Sequence, residues 1–471
     1  MRRRRISAVI SAVIAAVAVL VMWVAGNPAY SSATPTVTVS ETTSLNSVPA
    51  EYAGFSIEPA NLCYVVSLAQ TDSSFVQLFE NLGPGIFRVG GNAGDTYGSW
   101  STTATASCLW KNNVVTPALV NSFFAFAQSV GYQVMWQVPL GNNNPSEDAA
   151  EAAYVSTMPG LYSIEIGNEP NYYPGASTNY QTYISNWNAT YQDYLADGGT
   201  VPVSGPAVAS YKSFYLTPFL TQDSASVVAL TEHYYVARAS SDPTCSTLLE
   251  VGRLKSVSAA DVTLANSYDL PFIMNETNTY SGVGMPGVSN AFCSALWAAG
   301  WMLIGLENGV QGMYFHGTAN YRQGNSGGQT EYYTPVNENG TPAPEYYGML
   351  FYHEMAQAGG SQVAVSTAHA PGLDAYAIAG GDGSLRVALI NRNSTSSTVN
   401  VQTALTYAQA SEISLSAPAL DSLSGVTLGG ASVAADGTWI PDPQPVTVSG
   451  STSTIAVPAY TGVIVTYSPS A

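Results

Sequence analysis

This sequence predicts an α/β fold, a (β/α)8 barrel followed by a C-terminal antiparallel β-sandwich, on three observations. From residue 50 onward, short apolar strands alternate with longer helical or loop segments, the pattern of parallel βα units. Eight such strands can be placed, the number that closes a barrel. After about residue 359 the texture changes to short Val/Ser/Thr/Ala strands broken by Gly, Asp and Pro, which reads as a sandwich. At 471 residues the chain exceeds the size at which single cores stop growing, so a large barrel plus a smaller domain is expected.

The barrel strands are expected at 52–57, 86–89, 134–138, 163–166, 203–207, 227–233, 272–275 and 312–316. Helices are expected at 74–82, 116–129, 180–196, 248–265, 289–306 and 346–357. Loops that follow strands are long, notably 92–115 and 319–343, and in such barrels those loops build the active face. Sandwich strands fall at 362–367, 374–379, 384–391, 397–401 and 454–466. Residues 36–40 also alternate and are expected to join that sheet, making the sandwich discontinuous. The expected organisation is therefore a leader at 1–33, an N-terminal strand at 34–49, the barrel at 50–358 and the sandwich at 359–471.

The N-terminus reads Met1-Arg-Arg-Arg-Arg5, then an Ala/Val/Ile-rich stretch to residue 25, then small residues. That is a signal peptide and predicts secretion, with an uncleaved surface anchor as the alternative, since the apolar stretch approaches membrane-spanning length. Contact with a membrane is expected only if the segment stays uncleaved. The formal charge of −18 repels nucleic acid and anionic membrane surfaces. It also disfavours long-range attraction of a polyanionic substrate. Cys63, Cys108, Cys245 and Cys293 have no C-x-x-C spacing, which argues against zinc; no metal or cofactor is expected. A Cys63–Cys108 bridge between neighbouring loops and buried free thiols are both open readings. The 30 Tyr and 8 Trp suit a carbohydrate partner, although cores use such residues too.

Two strand ends carry the chemistry. Ile164-Glu165-Ile166-Gly167-Asn168-Glu169-Pro170 ends a β-branched run in Asn-Glu before a proline, which should hold Glu169 extended at the strand's end. Phe272-Ile-Met-Asn275-Glu276 has the same form. In barrel order these are the fourth and seventh strands, so both carboxylates emerge on the C-terminal face. Such a pair supports glycoside hydrolysis, one carboxyl protonating the leaving oxygen and the other attacking the anomeric carbon. His233 and Tyr235, two apart on the sixth strand, point the same way beside Glu276. Arg88 lies inside an apolar strand and needs carboxylate partners, for which Glu165 and Glu276 are candidates.

Together with Gly54-Phe-Ser-Ile-Glu58, Phe87-Arg-Val-Gly-Gly91-Asn92, His233-Tyr-Tyr235, Asn275-Glu276-Thr-Asn278, Gly317-Thr-Ala-Asn-Tyr321 and Tyr347-Gly-Met-Leu-Phe-Tyr352, these motifs resemble glycoside hydrolase family 79, within the clan of retaining (β/α)8-barrel glycosidases. The family holds β-glucuronidases and heparanase-like endo-glucuronidases. The resemblance implies Glu169 as acid/base, Glu276 as nucleophile, Asn168 on the sugar 2-hydroxyl and Tyr235 as donor to Glu276. It further implies sugar-hydroxyl contacts from Glu58 and Asn92, and uronic-carboxylate recognition by Tyr321 and the amides near Gly282 and Gly284. One departure is that Thr279-Tyr280-Ser281-Gly282 places Tyr280 where a tyrosine nearer position 281 is expected, so Tyr280 must substitute. Arg238 and Arg322 are further charges near the active face. The implied activity is an exo-β-glucuronidase releasing terminal glucuronic or 4-O-methyl-glucuronic acid. A retaining glycosidase for a neutral sugar and a non-catalytic carbohydrate-binding protein are the alternatives.

Overall fold

The computed structural model describes residues 33–142, 144–173, 180–210, 213–319 and 330–469. Eight parallel strands close into a barrel: Ala53–Ile57, Ile86–Val89, Gln133–Val138, Leu161–Ile166, Val203–Ala209, Val227–Arg238, Phe272–Ser281 and Gly312–His316. They are called the first to eighth barrel strands below. The first and eighth strands pair in register, Phe55 opposite Phe315, which completes the closure. Every residue of the first, second and eighth strands is buried, as expected where one face meets the interior and the other meets helices.

Eight helices succeed the strands in turn, of which Pro145–Val155 and Ser213–Asp223 were not anticipated. The latter contains Pro218, which disguises it as a break. Capping is local: Thr116 accepts from the Leu119 amide, and Asp72 from those of Ser74 and Phe75. Phe292–Asn308 is buried on every side from Phe292 to Leu306, because it is sandwiched between barrel and sheet. Pro344–Ala356 crosses it at Gly348, where any Cβ would strike the Ala295 carbonyl.

The C-terminal strands form one continuous sheet of 11 strands. Thr36–Ser47 lies inside it, antiparallel to Ser361–Ala368 and parallel to Ser397–Thr403. The sheet is thus not wholly antiparallel. The expected strand at 454–466 divides into Thr452–Val457 and Thr461–Ser468, and Gln409–Ser416 is a further strand. One face supplies Tyr376, Ile378, Ile390 and Ile464 to the barrel's core, while the other builds a separate core from Val37, Val39, Leu385, Val387, Val399 and Val465.

All four cysteines are paired, Cys63 with Cys108 and Cys245 with Cys293. Each bridge joins consecutive βα units on the face where the strands end. Among the described residues no helix is long and apolar enough to cross a membrane; residues 1–32 of the expected leader lie outside them.

Candidate active site

The second strand turns Arg88, fully buried, into the barrel's interior. Its Nε donates to Glu165 at 2.8 Å and its Nη1 to Glu276 at 2.6 Å, while Nη2 donates to Asn168 at 2.7 Å. Asn275 and Thr231 donate to the other oxygen of Glu165. The guanidinium is therefore fully paired, the condition under which a buried charge is tolerated.

Glu276 receives Arg88 on one oxygen and the Tyr235 hydroxyl on the other, at 2.8 Å. Burial alone would raise its pKa. The fields of His316, His233 and Arg88 and the Tyr235 hydrogen bond outweigh burial and hold the carboxyl well below the usual carboxylate range. Burial, then the adjacent Glu276, pushes the Tyr235 phenol well up, so it remains a donor.

Glu169 is not extended: its φ of 47° and ψ of 50° are left-handed. Its amide donates to the Ala207 carbonyl at 2.9 Å, drawing the chain across to the fifth strand, and this tertiary pull overrides the restriction that Pro170 imposes. His233 Nδ1 lies 3.1 Å from Glu169 and 3.7 Å from Glu276. One oxygen from each carboxyl and a ring nitrogen of His233 all lie within 4.8 Å of one another. Such spacing matches the roughly 5 to 5.5 Å of retaining glycosidases and not the roughly 6.5 to 9.5 Å of inverting ones. The same three groups have metal-ligand geometry, but Glu276 already has a guanidinium on one oxygen, and a cation beside a fixed cation is disfavoured.

Glu58, at the end of the first strand, accepts the amides of Ala93 and Gly94 at 2.7 and 3.3 Å. Gly91, at φ 150°, lets the chain pass there, because a Cβ would overlap the Glu58 carboxyl. Burial first, and Glu276 second, push Glu58 up to about 8. Asn92 accepts from Asn168 at 3.2 Å, so its oxygen orients the residue preceding Glu169. Arg88, Asn168, Glu169, His233, Tyr235, Glu276 and Asn92 thus form one network.

Tyr280 does not join them. It is fully buried in the hydrophobic core with its hydroxyl 3.3 Å from Thr247. Its strand continues to Ser281 in pairing with the sixth, and the phenol lies over the helix Cys245–Leu248, which carries Thr247. Gly282 is exposed, whereas Gly284 packs on the Tyr333 backbone. Tyr321 and Arg322 lie outside the described residues.

Four groups escaped the sequence reading. His316 ends the eighth strand 3.6 Å from Glu276, and its strand-end position was a usable signal. Tyr333 rests its ring beside those of Tyr235 and His316, at 5.8 and 5.9 Å between centroids. Glu331, on the same segment, is pushed up to about 8 by burial and then by Glu276. Asp95 uses one oxygen to accept the amides of Leu140, Gly141 and Asn168 and the Tyr173 hydroxyl. Tyr333 and Glu331 sit on a loop and Asp95 in the short helix Asn92–Tyr97, and nothing local assigns these segments to the site.

Residues 375–464 match the glycosyl hydrolase family 79 C-terminal beta domain. A β-glucuronidase of Aspergillus niger is 26% identical over 58% of this chain and 56% of its own length. One of Neurospora crassa is 25% identical over 67% of this chain and 65% of its own. This chain therefore spans between about half and two thirds of the length of those relatives. Among solved structures, a 4-O-α-L-rhamnosyl-β-D-glucuronidase of Fusarium oxysporum superposes with a TM-score of 0.75 at 20% identity, covering 91% of this chain and all of the other. A family 51 α-L-arabinofuranosidase of Bifidobacterium longum gives 0.67 at 13% identity, covering 92% and 99%. The structural likenesses speak for the shared barrel and sheet. The family 79 match thus covers the C-terminal domain, and the two curated relatives, both β-glucuronidases, extend the likeness over 58% and 67% of this chain.

Proposed function

We propose that the protein is a retaining exo-β-glucuronidase, hydrolysing terminal glucuronic or 4-O-methyl-glucuronic acid from glycoconjugates. The observation that carries the mechanism is the approach of Glu169 and Glu276 to within 4.8 Å, with Glu276 held ionised by Arg88 and Tyr235. Glu276 attacks the anomeric carbon as the bond to the leaving oxygen breaks, and Glu169 gives that oxygen its proton. A water then gives a proton back to Glu169 and attacks the same carbon, releasing Glu276. Asn168, fixed by Arg88 and Asn92, presents its amide to the sugar 2-hydroxyl. The sugar is read from the names of the relatives, both β-glucuronidases.

A second reading, a retaining glycosidase for a neutral sugar, draws on the carboxyls of Glu58 and Glu331 near Glu276 and on Tyr280 turning away. Chromogenic glucuronide, glucoside, galactoside and xyloside decide between them. Glucuronide turnover, lost in Glu276→Gln and accompanied by covalent trapping of wild type with a fluorinated analogue, supports the first; exclusive turnover of a neutral glycoside overturns it. Secretion is part of this reading and draws support from the two disulfides, which persist in oxidising compartments. Culture fractionation checks it, with accumulation in the cytoplasm as the opposing result.

A further inference from the structure

Among the described residues, most arginines, and Lys255, lie within 4 Å of a carboxylate. Arg88 meets Glu165 and Glu276, Arg386 meets Asp382, Arg392 meets Asp374 and Lys255 meets Glu307. Arg238 and Arg253 have no such partner among the described residues, and both are exposed. In a chain of formal charge −18, unpaired arginines are conspicuous, and these two line the same cleft of about 420 Å³.

Glu169, Tyr172, His233 and Tyr235 line that cleft as well. Arg238 ends the sixth barrel strand, and Arg253 is the second residue of the helix Gly252–Asn266. A cation in a helix's first turn opposes the helix dipole. The N-cap, Val251, offers no side-chain acceptor either. Two guanidinium groups, one of them from a helix's first turn, therefore gather beside the proposed proton donor. Helix stability does not account for Arg253, but an oxyanion in the cleft would satisfy both guanidinium groups.

The position of the cleft says which part of a substrate it would hold. Glu276 and Glu58 do not line this cleft, whereas Glu169, which must reach the leaving oxygen, does; Asn92 and Tyr235 mark the edge it shares with the sugar being cleaved. The geometry points to a leaving-group subsite in which Arg238 and Arg253 select glycosides whose aglycone carries an oxyanion, a carboxylate or sulfate. This inference rests on the hydrolase reading above and narrows its substrates to conjugates charged on both sides of the scissile bond.

The test uses two aryl β-glucuronides of equal leaving-group acidity, one with a carboxylate on the ring and one with a carboxamide. In wild type, kcat/KM should favour the carboxylate by about tenfold at low salt, the scale of close charge pairing at a rim, and the preference should shrink as salt rises. In the double variant Arg238→Gln/Arg253→Gln the ratio should fall toward one; because both residues are exposed, the fold tolerates the change. An unchanged ratio overturns the proposal. So does inhibition of wild type by inorganic sulfate without any preference between the two glucuronides, which would assign the arginines to a free anion. If wild type cleaves neither aryl glucuronide nor any other glycoside of the panel, the hydrolase reading itself fails, a result distinct from loss of the ratio alone.

Discussion

The carboxyl of Asp95 accepts the backbone amide of Asn168 at 3.2 Å, so a residue after the second barrel strand fixes the one that immediately precedes Glu169. The same oxygen gathers Leu140 and Gly141 from the loop after the third strand and Tyr173 from beyond the fourth. The segments after the third and fourth strands thus converge on one atom held after the second, and Glu169 inherits its placement from them. Asp95→Ala should cost far more with alkyl or phenyl leaving groups, which need a proton, than with dinitrophenyl, which leaves without one. Asp95→Asn, which keeps an acceptor oxygen, should recover part of the loss. Equal losses on both leaving groups would reduce Asp95 to a support of the fold.

Tyr235→Phe removes one of the donors that keep Glu276 ionised. A hydrogen bond to a charged group contributes about 1.5 to 3 kcal/mol, so kcat/KM should drop by roughly 10- to 100-fold. The sign of the pH effect is fixed as well. Glu276 is depressed below the usual range, and without the hydroxyl its pKa rises, so the acid limb of the kcat/KM profile should move to higher pH. A profile that falls in height without shifting would rule out the charge-holding role of this hydroxyl.

Burial pushes Glu151 and Glu345 up to about 8, against roughly 4.3 in an unfolded chain. A raised carboxyl contributes stability that is fully present below its unfolded value and is lost as the pH climbs through its folded value. The melting temperature should therefore fall between about pH 5 and pH 8. Glu151→Gln, which keeps an acceptor for the Trp136 indole N–H, should flatten that slope. Calorimetry across the range checks it, and a melting temperature that rises over the same interval would contradict it.

The disulfides Cys63–Cys108 and Cys245–Cys293 close stretches of similar length, with separations of 45 and 48 residues. Loop-closure entropy assigns each about 4 kcal/mol relative to the reduced unfolded chain. Opening either by Cys→Ser exchange should lower the melting temperature. The Cys245 bridge should also raise KM more, because Cys245 lies between Arg238 and Arg253 in the chain and its helix follows the cleft they line. Equal effects of the two exchanges on KM would break that link.

The strand ends were legible because parallel barrel strands are near-continuous apolar runs, and an Asn-Glu pair interrupts such a run visibly. Arg88, His233, Tyr235 and Glu276 sit on those strands, so register aims them inward, whereas Glu169, just past a strand end, is aimed by the bond of its amide to Ala207. Tyr333 sits on a loop and Asp95 in a short helix after the second strand, and their places are set by partners far away in sequence: Val283 accepts the Tyr332 amide, and Leu140 and Asn168 meet Asp95. No local pattern encodes such contacts. Tyr280 is the opposite case, since likeness to a motif suggested a role in the site while its hydroxyl meets Thr247 instead. Pro145–Val155 was findable, with proline opening the helix and Glu147 and Asp148 in its first turn.

Thr36–Ser47 is hydrogen-bonded between Ser361–Ala368 and Ser397–Thr403, so the segment made before the barrel finds its neighbours only after the barrel has been made. During synthesis this strand must wait, with both edges open, while more than three hundred residues emerge. Contacts so distant in sequence are slow to form, and a strand with both edges unpaired invites pairing with other chains. The order of translation thus makes the N-terminal strand the nascent protein's point of greatest exposure to aggregation, and the last stitch in its assembly.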